Sequence, residues 1–261
     1  MLGNKLINTN AGGGCTNTVD LYNPFPDGGG IALYQLNGDA TDVSGNYDGT
    51  ASNVTYGAGE FGQAGVFNGS SSVVSIDSVA SQISSSNTPF TISVWVKAAA
   101  IGSTMAAYEI GDWFTGTVRV IIHTNGIINL SIKPGGAVDW NIETTTPLVA
   151  GVWTNITATY NGSYANLYIN GVFSGTASGS KVMNTLIANI GSSQSTFFFN
   201  GSIDQFRIFN RALRPYEVEA LYTEEYCTPT IVPSEHFNTI TYSGDGQARS
   251  FTGVGFQPDL V

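Results

Sequence analysis

The sequence predicts an all-β chain, an antiparallel sandwich or barrel with one short C-terminal helix. Three observations carry that expectation. Short apolar runs recur between turn residues along most of the chain. Charged residues make up only 11% of it, and Gly, Ser, Thr and Asn fill the gaps. The one legible helical stripe, Val218, Leu221 and Tyr222, comes near the end of the patterned region. Turn-rich β proteins need such a composition, because Gly and Asn reach the backbone angles of tight turns that β-branched residues avoid.

With 261 residues and 42% hydrophobic content, the chain can bury one substantial core and has little left for a second. Residues 1–28 are rich in Gly and Asn, contain NPFPDGGG and show no periodicity, so they are expected to form an arm or linker. The main domain is expected over residues 29–227. Beyond it, residues 228–261 open on a Pro-rich stretch, resume strand alternation around a Gly-Asp-Gly turn, and stop in mid-pattern.

Within the domain the strand-like runs are IALYQL, GVFNG, SVVSID, FTISVWVKA, TVRVIIH, IINLSI, VWTNITATY, ANLYING and FRIF. In TISVWVK, Ile92, Val94 and Val96 alternate with Thr91, Ser93 and Trp95, and both faces carry apolar groups. Residues 161–163, NGS, join two runs as a hairpin, and Asn170-Gly171 supplies a second turn in which positive φ costs little. Phe206, Ile208 and Phe209 belong to a strand, after which Arg214-Pro215 starts the helix. Proline is tolerated there because the first-turn N–H groups have no partner inside the helix. That helix is expected to act as a lid on the sandwich.

Nine Lys and Arg against nineteen Asp and Glu give a formal charge of −10. A chain so acidic has no footprint for nucleic acid and is repelled by an anionic membrane. The opening twenty residues hold no apolar stretch of signal-peptide length, and no later segment approaches a membrane span, so synthesis in a cytoplasm is expected. Cys15 and Cys227 are the only cysteines and bracket the globular part. A disulfide between them would staple its two ends; two separate reduced thiols are the other reading, favoured by a cytoplasmic origin.

The order of five stretches, ALYQLNGDATDVSGNYDGT, FGQAGVFNGSSSVVSI, FTISVWVKA, GVWTNITATYNGSYANLYINGV and FNGSIDQFRIFNRALRPYEVEALY, resembles the laminin G-like, concanavalin A-like jelly-roll family. The resemblance covers residues 31–226. It implies that the Gly-x-Ile-Asp strand and the short helix close the sandwich, with Asp204 part of a structural corner. The flanks, CTNTVDLYNPFPDGGG and FNTITYSGDGQARSFTGVGFQPDLV, resemble segments of bacteriophage tail-fibre and other virion-appendage proteins, particularly marine ones.

Asn37, Asp39, Asp42 and Asp48 cluster in LNGDATDVSGNYDG, and such hard oxygen ligands suit calcium. Some laminin G-like modules bind calcium, and the resemblance implies that the first-strand loop meets the strand carrying Asp204. The expected metal set is therefore Asp42 and Asp204, then Asp39 and Asp48, with calcium in a structural role. Asx-turns that cap backbone N–H groups are the competing reading.

Trp95 and Trp153 lie in strand patterns and are expected in the core. Trp113 in GDWFTG and Trp140 in AVDWNI lie beside turns, where an exposed ring would stack on a sugar; a packed rim position is the other reading. In residues 197–199, FFF, alternation puts Phe198 on the face opposite Phe197 and Phe199, and Phe198 is the third candidate ligand contact. Catalysis is not expected. The Glu-x-Asp-x-x-Glu segment of glucanases with this fold is missing, and neither His123 nor His236 sits in a nucleophile arrangement.

These readings combine into a non-catalytic module that recognises host-surface glycans on a phage virion appendage. Its N-terminal arm is expected to dock onto other virion proteins, and a homotrimer follows from the fibre resemblance. A purely structural virion protein without glycan binding is the alternative.

Overall fold

The computed structural model describes residues 28–134, 140–181, 183 and 186–223. The arm at residues 1–27, the segment 224–261, Cys15 and Cys227 lie outside the described residues.

The first part of the chain forms β1 (Gly30–Tyr34), β2 (Thr50–Ser52), β3 (Thr55–Ala58), β4 (Gln63–Asn68), β5 (Val73–Ser75) and helix α1 (Asp77–Ser84). The middle forms β6 (Phe90–Ala98), β7 (Met105–Asp112), β8 (Gly116–Ile122), β9 (Ile128–Pro134) and β10 (Trp140–Glu143). The last part forms β11 (Thr154–Tyr160), β12 (Tyr164–Ile169), β13 (Val172–Ser178), β14 (Ala188–Ile190), β15 (Asn200–Phe209) and helix α2 (Pro215–Tyr222). Two antiparallel sheets make the sandwich. One has eight strands in the order β13-β12-β11-β6-β15-β4-β3 with β1 beside β15, and the other seven in the order β10-β9-β8-β7-β14-β5-β2.

The core lies where the inner faces of the sheets meet. Ile92, Val94 and Val96 of β6, Ile156 and Ala158 of β11, and Ile203 and Ile208 of β15 share it with Val118, Val120 and Ile122 of β8 and with Ile128, Leu130 and Ile132 of β9. Each fully buried aliphatic side chain contributes about 1.5–3 kcal/mol of transfer free energy, so this face drives the association of the sheets.

Strand β15 is the hinge of the larger sheet. One side pairs with β6; the other pairs with β4 over residues 200–203 and with β1 over residues 206–209. The handover falls at Asp204 and Gln205, where the register with β6 shifts and Gln205 takes a φ of 49°.

Helix α2 begins as the sequence predicts, with Pro215 in its first turn and Glu217 accepting the Arg214 N–H at 2.8 Å. Val218 and Leu221 pack with Tyr168, Phe209 and Leu213 in a second cluster, and Tyr222 stacks on Trp95 at 5.7 Å. The lid therefore covers the outer face of the larger sheet, which explains why β6 is apolar on both faces.

Several expectations need correction. Helix α1 follows β5 where only a strand was read; Val79, Ala80 and Ile83 form its buried stripe. Strand β7, over Met105–Asp112, is absent from the runs read in the sequence. Residues 197–199 are not a strand. Phe199 is buried against Phe67, whereas Phe197 and Phe198 are half-buried in a loop. Trp95 is in the packed interior as expected, but Trp153 is half-buried outside any strand, with the Lys97 ammonium 4.8 Å from its ring centre.

Candidate functional site

The outer face of the seven-stranded sheet is built by alternation. Since Val118, Val120 and Ile122 face the core from β8, Arg119, Ile121 and then His123 face away from it. On β9 the same rule turns Asn129, Ser131 and Lys133 outward, and on β10 Asn141 and Glu143. Register then aligns these side chains in rows. Glu109, Arg119, Ser131 and Asn141 pair across β7, β8, β9 and β10; Ile121, Asn129 and Glu143 pair in the next row.

An open cleft of about 290 Å³ lies on these rows. Trp113, Thr104 and Phe197 wall it, and Arg119, Ile121, His123, Asn129, Ser131, Asn141 and Glu143 form its floor and far rim. The β7–β8 turn carries Trp113. Asp112 Oδ1 accepts the N–H groups of Phe114 at 2.9 Å and Thr115 at 3.2 Å, which closes the turn. Gly111, at φ 92°, lets its strands approach: a Cβ there would stand 2.2 Å from the Gly116 carbonyl oxygen. Trp113 folds back over the sheet, with Arg119 Cζ 3.6 Å and Lys133 Nζ 4.0 Å from its ring centre, while Phe114 projects at 76% exposure. Cation–π contacts of this kind hold an exposed ring by about 0.5–1 kcal/mol each.

Phe197 comes from the loop between β14 and β15. The Phe197 carbonyl accepts the Ala106 N–H at 3.1 Å, and the Phe199 N–H donates to the Gly191 carbonyl at 2.8 Å, pinning the loop to β7. Inside the loop Gln194 N–H donates to Glu109 Oε2 at 2.9 Å, and Arg119 Nη1 donates to Ser193 Oγ at 3.2 Å. Burial pushes the Glu109 carboxyl above its ordinary pKa, against the pull of the Gln194 N–H, the Ser193 hydroxyl and the Arg119 guanidinium 3.9 Å away.

The floor offers neutral hydrogen-bonding groups. Asn129 Nδ2 donates to Glu143 Oε1 at 3.1 Å, and His123 Nε2 lies 3.7 Å from the same oxygen. Ser131 is 2% exposed, and its Oγ has no hydrogen-bond partner among the described residues. A buried hydroxyl in that state costs about 1–3 kcal/mol, which a water or a ligand in the cleft recovers.

The sequence-predicted candidates divide. Trp113 belongs to the cleft. Trp140 does not: it pairs with Ile132 on the inward parity of β10, its Nε1 donates to the Ser180 carbonyl at 3.3 Å, and its ring packs 5.9 Å from Tyr160. It is the packed rim tryptophan. Phe198 does not line the cleft, and its neighbour Phe197 does. Arg119, Ser131, Asn129, Asn141 and Glu143 were not singled out from sequence. The alternation in TVRVIIH and IINLSI already turned the first three outward, but only strand register shows that they are neighbours.

The four aspartates do not form one donor set. Asp42 Oδ1 accepts Leu33 N–H at 2.9 Å and Ser44 N–H at 3.2 Å; its Oδ2 accepts Tyr47 N–H at 3.2 Å and the Ser44 hydroxyl. Asp48 accepts the Asp42 N–H at 2.9 Å, and Asp39 accepts both the N–H and the hydroxyl of Thr41. These are Asx-turn and capping bonds that shape the loop after β1. Asp204 instead meets the β3–β4 loop, where its Oδ2 accepts the Phe61 N–H. Among the described residues, no group of three or more His, Cys, Asp or Glu side chains could hold a metal ion.

Comparison with known proteins accords with this architecture. No curated protein matches the chain in sequence. Among solved structures, domain 4 of AbnA, a GH43 extracellular arabinanase from Geobacillus stearothermophilus in complex with arabinotriose, is 26% identical with a TM-score of 0.63. The match covers 74% of this chain and 97% of that domain. The binding domain of Paraclostridial Mosquitocidal Protein 1 is 21% identical with a TM-score of 0.63 over 75% of this chain, and the receptor-binding domain of botulinum neurotoxin type G is 20% identical with a TM-score of 0.57 over 74%. The match spans about half of those two toxin structures, 52% and 51%, and shows the fold. A laminin G family model described as the concanavalin A-like lectin/glucanases superfamily matches residues 68–219, from the end of β4 into α2. With both sheets and the lid inside or beside that span, the chain belongs to the concanavalin A-like lectin/glucanases superfamily.

Proposed function

We propose that this chain is a non-catalytic carbohydrate-recognition module and that the cleft on the outer face of the seven-stranded sheet is its binding site. The observation that carries the reading is the cleft floor. Ser131 Oγ is buried without a partner among the described residues, and Asn129, Asn141, Trp113 and Phe197 line the same cleft. Sugars bind by that combination, aromatic faces against C–H surfaces and amides against hydroxyls. The 26%-identical arabinanase domain, solved with arabinotriose, supports the ligand class.

The resemblance of the flanks to phage tail-fibre segments adds the setting: a virion appendage that presents the cleft to a host-cell glycan, with the N-terminal arm engaging other virion proteins. Fold alone leaves a purely structural virion part as the competitor, because jelly rolls serve both roles. Incubating the full chain with intact candidate host cells and their extracted surface polysaccharides separates the two. Retention on cells that is lost with Trp113→Ala supports recognition. A folded chain that binds no cell and no polysaccharide is the structural part instead.

A further inference from the structure

The charges around the cleft are arranged to select one class of saccharide. A site for carboxylated sugars needs a cation whose charge is available to the ligand, best of all an arginine fork. Here Arg119 is already engaged three ways: Glu109 at 3.9 Å, Ser193 Oγ at 3.2 Å, and the Trp113 ring at 3.6 Å. Lys133 lies against the same ring at 4.0 Å. At the rim Glu143 presents an anion, its side chain 59% exposed, with the His123 imidazole 3.7 Å from its Oε1. A uronic acid or sialic acid entering the cleft meets that carboxylate directly, in a chain whose formal charge is −10.

Neutral sugars meet the opposite conditions. A hydroxyl is both donor and acceptor, and so are the Ser131 hydroxyl and the Asn141 amide. Glu143 is acceptor-only, and a carboxylate accepts from a sugar hydroxyl more strongly than a neutral group does. Asn129, which donates to Glu143 Oε1, fixes the direction of that carboxylate.

From this geometry we infer that the cleft selects neutral saccharides and rejects carboxylated ones, with Glu143 serving both as hydroxyl acceptor and as the excluding charge. The inference rests on the reading of the cleft as a carbohydrate site. Ser131 and Asn141 take the sugar hydroxyls, and Trp113 and Phe197 cover its apolar face.

The test is affinity electrophoresis of the full chain in gels containing arabinan, galactan, dextran or mannan, set against polygalacturonan and alginate, at low and high salt. At least one neutral polymer is expected to retard the protein with little dependence on salt, and neither acidic polymer should. Asn141→Ala, at an exposed position that leaves the fold intact, should weaken the neutral interaction about three- to tenfold. Glu143→Gln should narrow the gap between neutral and acidic polymers. Retardation by the acidic polymers that collapses in high salt would overturn the selectivity while leaving carbohydrate recognition intact. Neutral binding unchanged in both variants would overturn the assignment to this cleft. Retardation by no polymer would overturn the recognition reading itself, and the inference with it.

Discussion

Asp204 Oδ2 accepts the backbone N–H of Phe61 at 2.9 Å, tying the middle of β15 to the β3–β4 loop across 143 residues of sequence. The contact is close enough that a Cβ on Gly59 would stand 2.6 Å from the same oxygen. Phe61 in turn packs edge-on against Trp95 at 5.6 Å, beneath the α2 lid. The aspartate of the Gly-x-Ile-Asp stretch thus anchors a hairpin at the point where β15 passes from β4 to β1.

Burial raises the Asp204 carboxyl to about 7, against the opposing pull of the N–H groups it accepts from Phe61, Glu60 and Gln205. An acid whose pKa is higher folded than unfolded holds its proton more tightly in the folded protein. Asp204 therefore lowers folding stability as pH rises from about 4 to about 7, by up to about 1.4 kcal/mol per pH unit, and its effect is level above that. Asp204→Asn keeps an oxygen for Phe61 and removes the charge. Urea midpoints across this range should fall less steeply with pH in the variant, with Glu109, also raised by burial, contributing the same slope to both. Parallel profiles would refute the assignment.

Asp42 is 3% exposed and accepts three backbone N–H groups. Asp42→Ala leaves those donors without their acceptor, at a cost of about 2–4 kcal/mol. Thermal melts should show that loss equally in chelator and in excess calcium, because the carboxylate is committed to the backbone. A loss larger in excess calcium than in chelator would show a metal role instead.

Lys181 closes the C-terminal end of α1 from a distant part of the chain. Its Nζ donates to the carbonyls of Ile83 and Ser85, the latter at 2.9 Å, and burial lowers its pKa to about 8. Lys181→Met keeps most of the buried stem but leaves two carbonyls unanswered. A destabilisation of about 1–3 kcal/mol is expected by urea denaturation, and a change under half a kcal/mol would contradict the capping role.

Trp113 is held on the surface rather than in the core, so Trp113→Ala should cost no more than about 1–2 kcal/mol of stability. Its effect on saccharide binding should be larger, because the ring walls the cleft. Calorimetric melting and gel retardation of the same sample separate the two effects.

Strong alternation made β6 and β11 legible in the sequence, and Arg214-Pro215 gave the start of α2. Strand β7 escaped because its face carries Ala, Gly and a buried Glu109 that the β14–β15 loop satisfies. Helix α1 escaped because Val79, Ala80 and Ile83 lie among serines, and its end is capped by a lysine 98 residues further along from Ile83. The cleft was legible only at Trp113. Its other residues are ordinary polar positions until the pairing of β8, β9 and β10 sets Arg119, Ser131 and Asn141 side by side.

The most direct test of the central claim follows the four tryptophan indole N–H signals by NMR while arabinotriose, or a polysaccharide that retards the protein, is titrated in. The account predicts that the Trp113 signal moves with saturation, while those of Trp95, Trp140 and Trp153 hold still. Saturable binding that moves Trp140 or Trp153 and leaves Trp113 fixed would contradict the cleft as the recognition site.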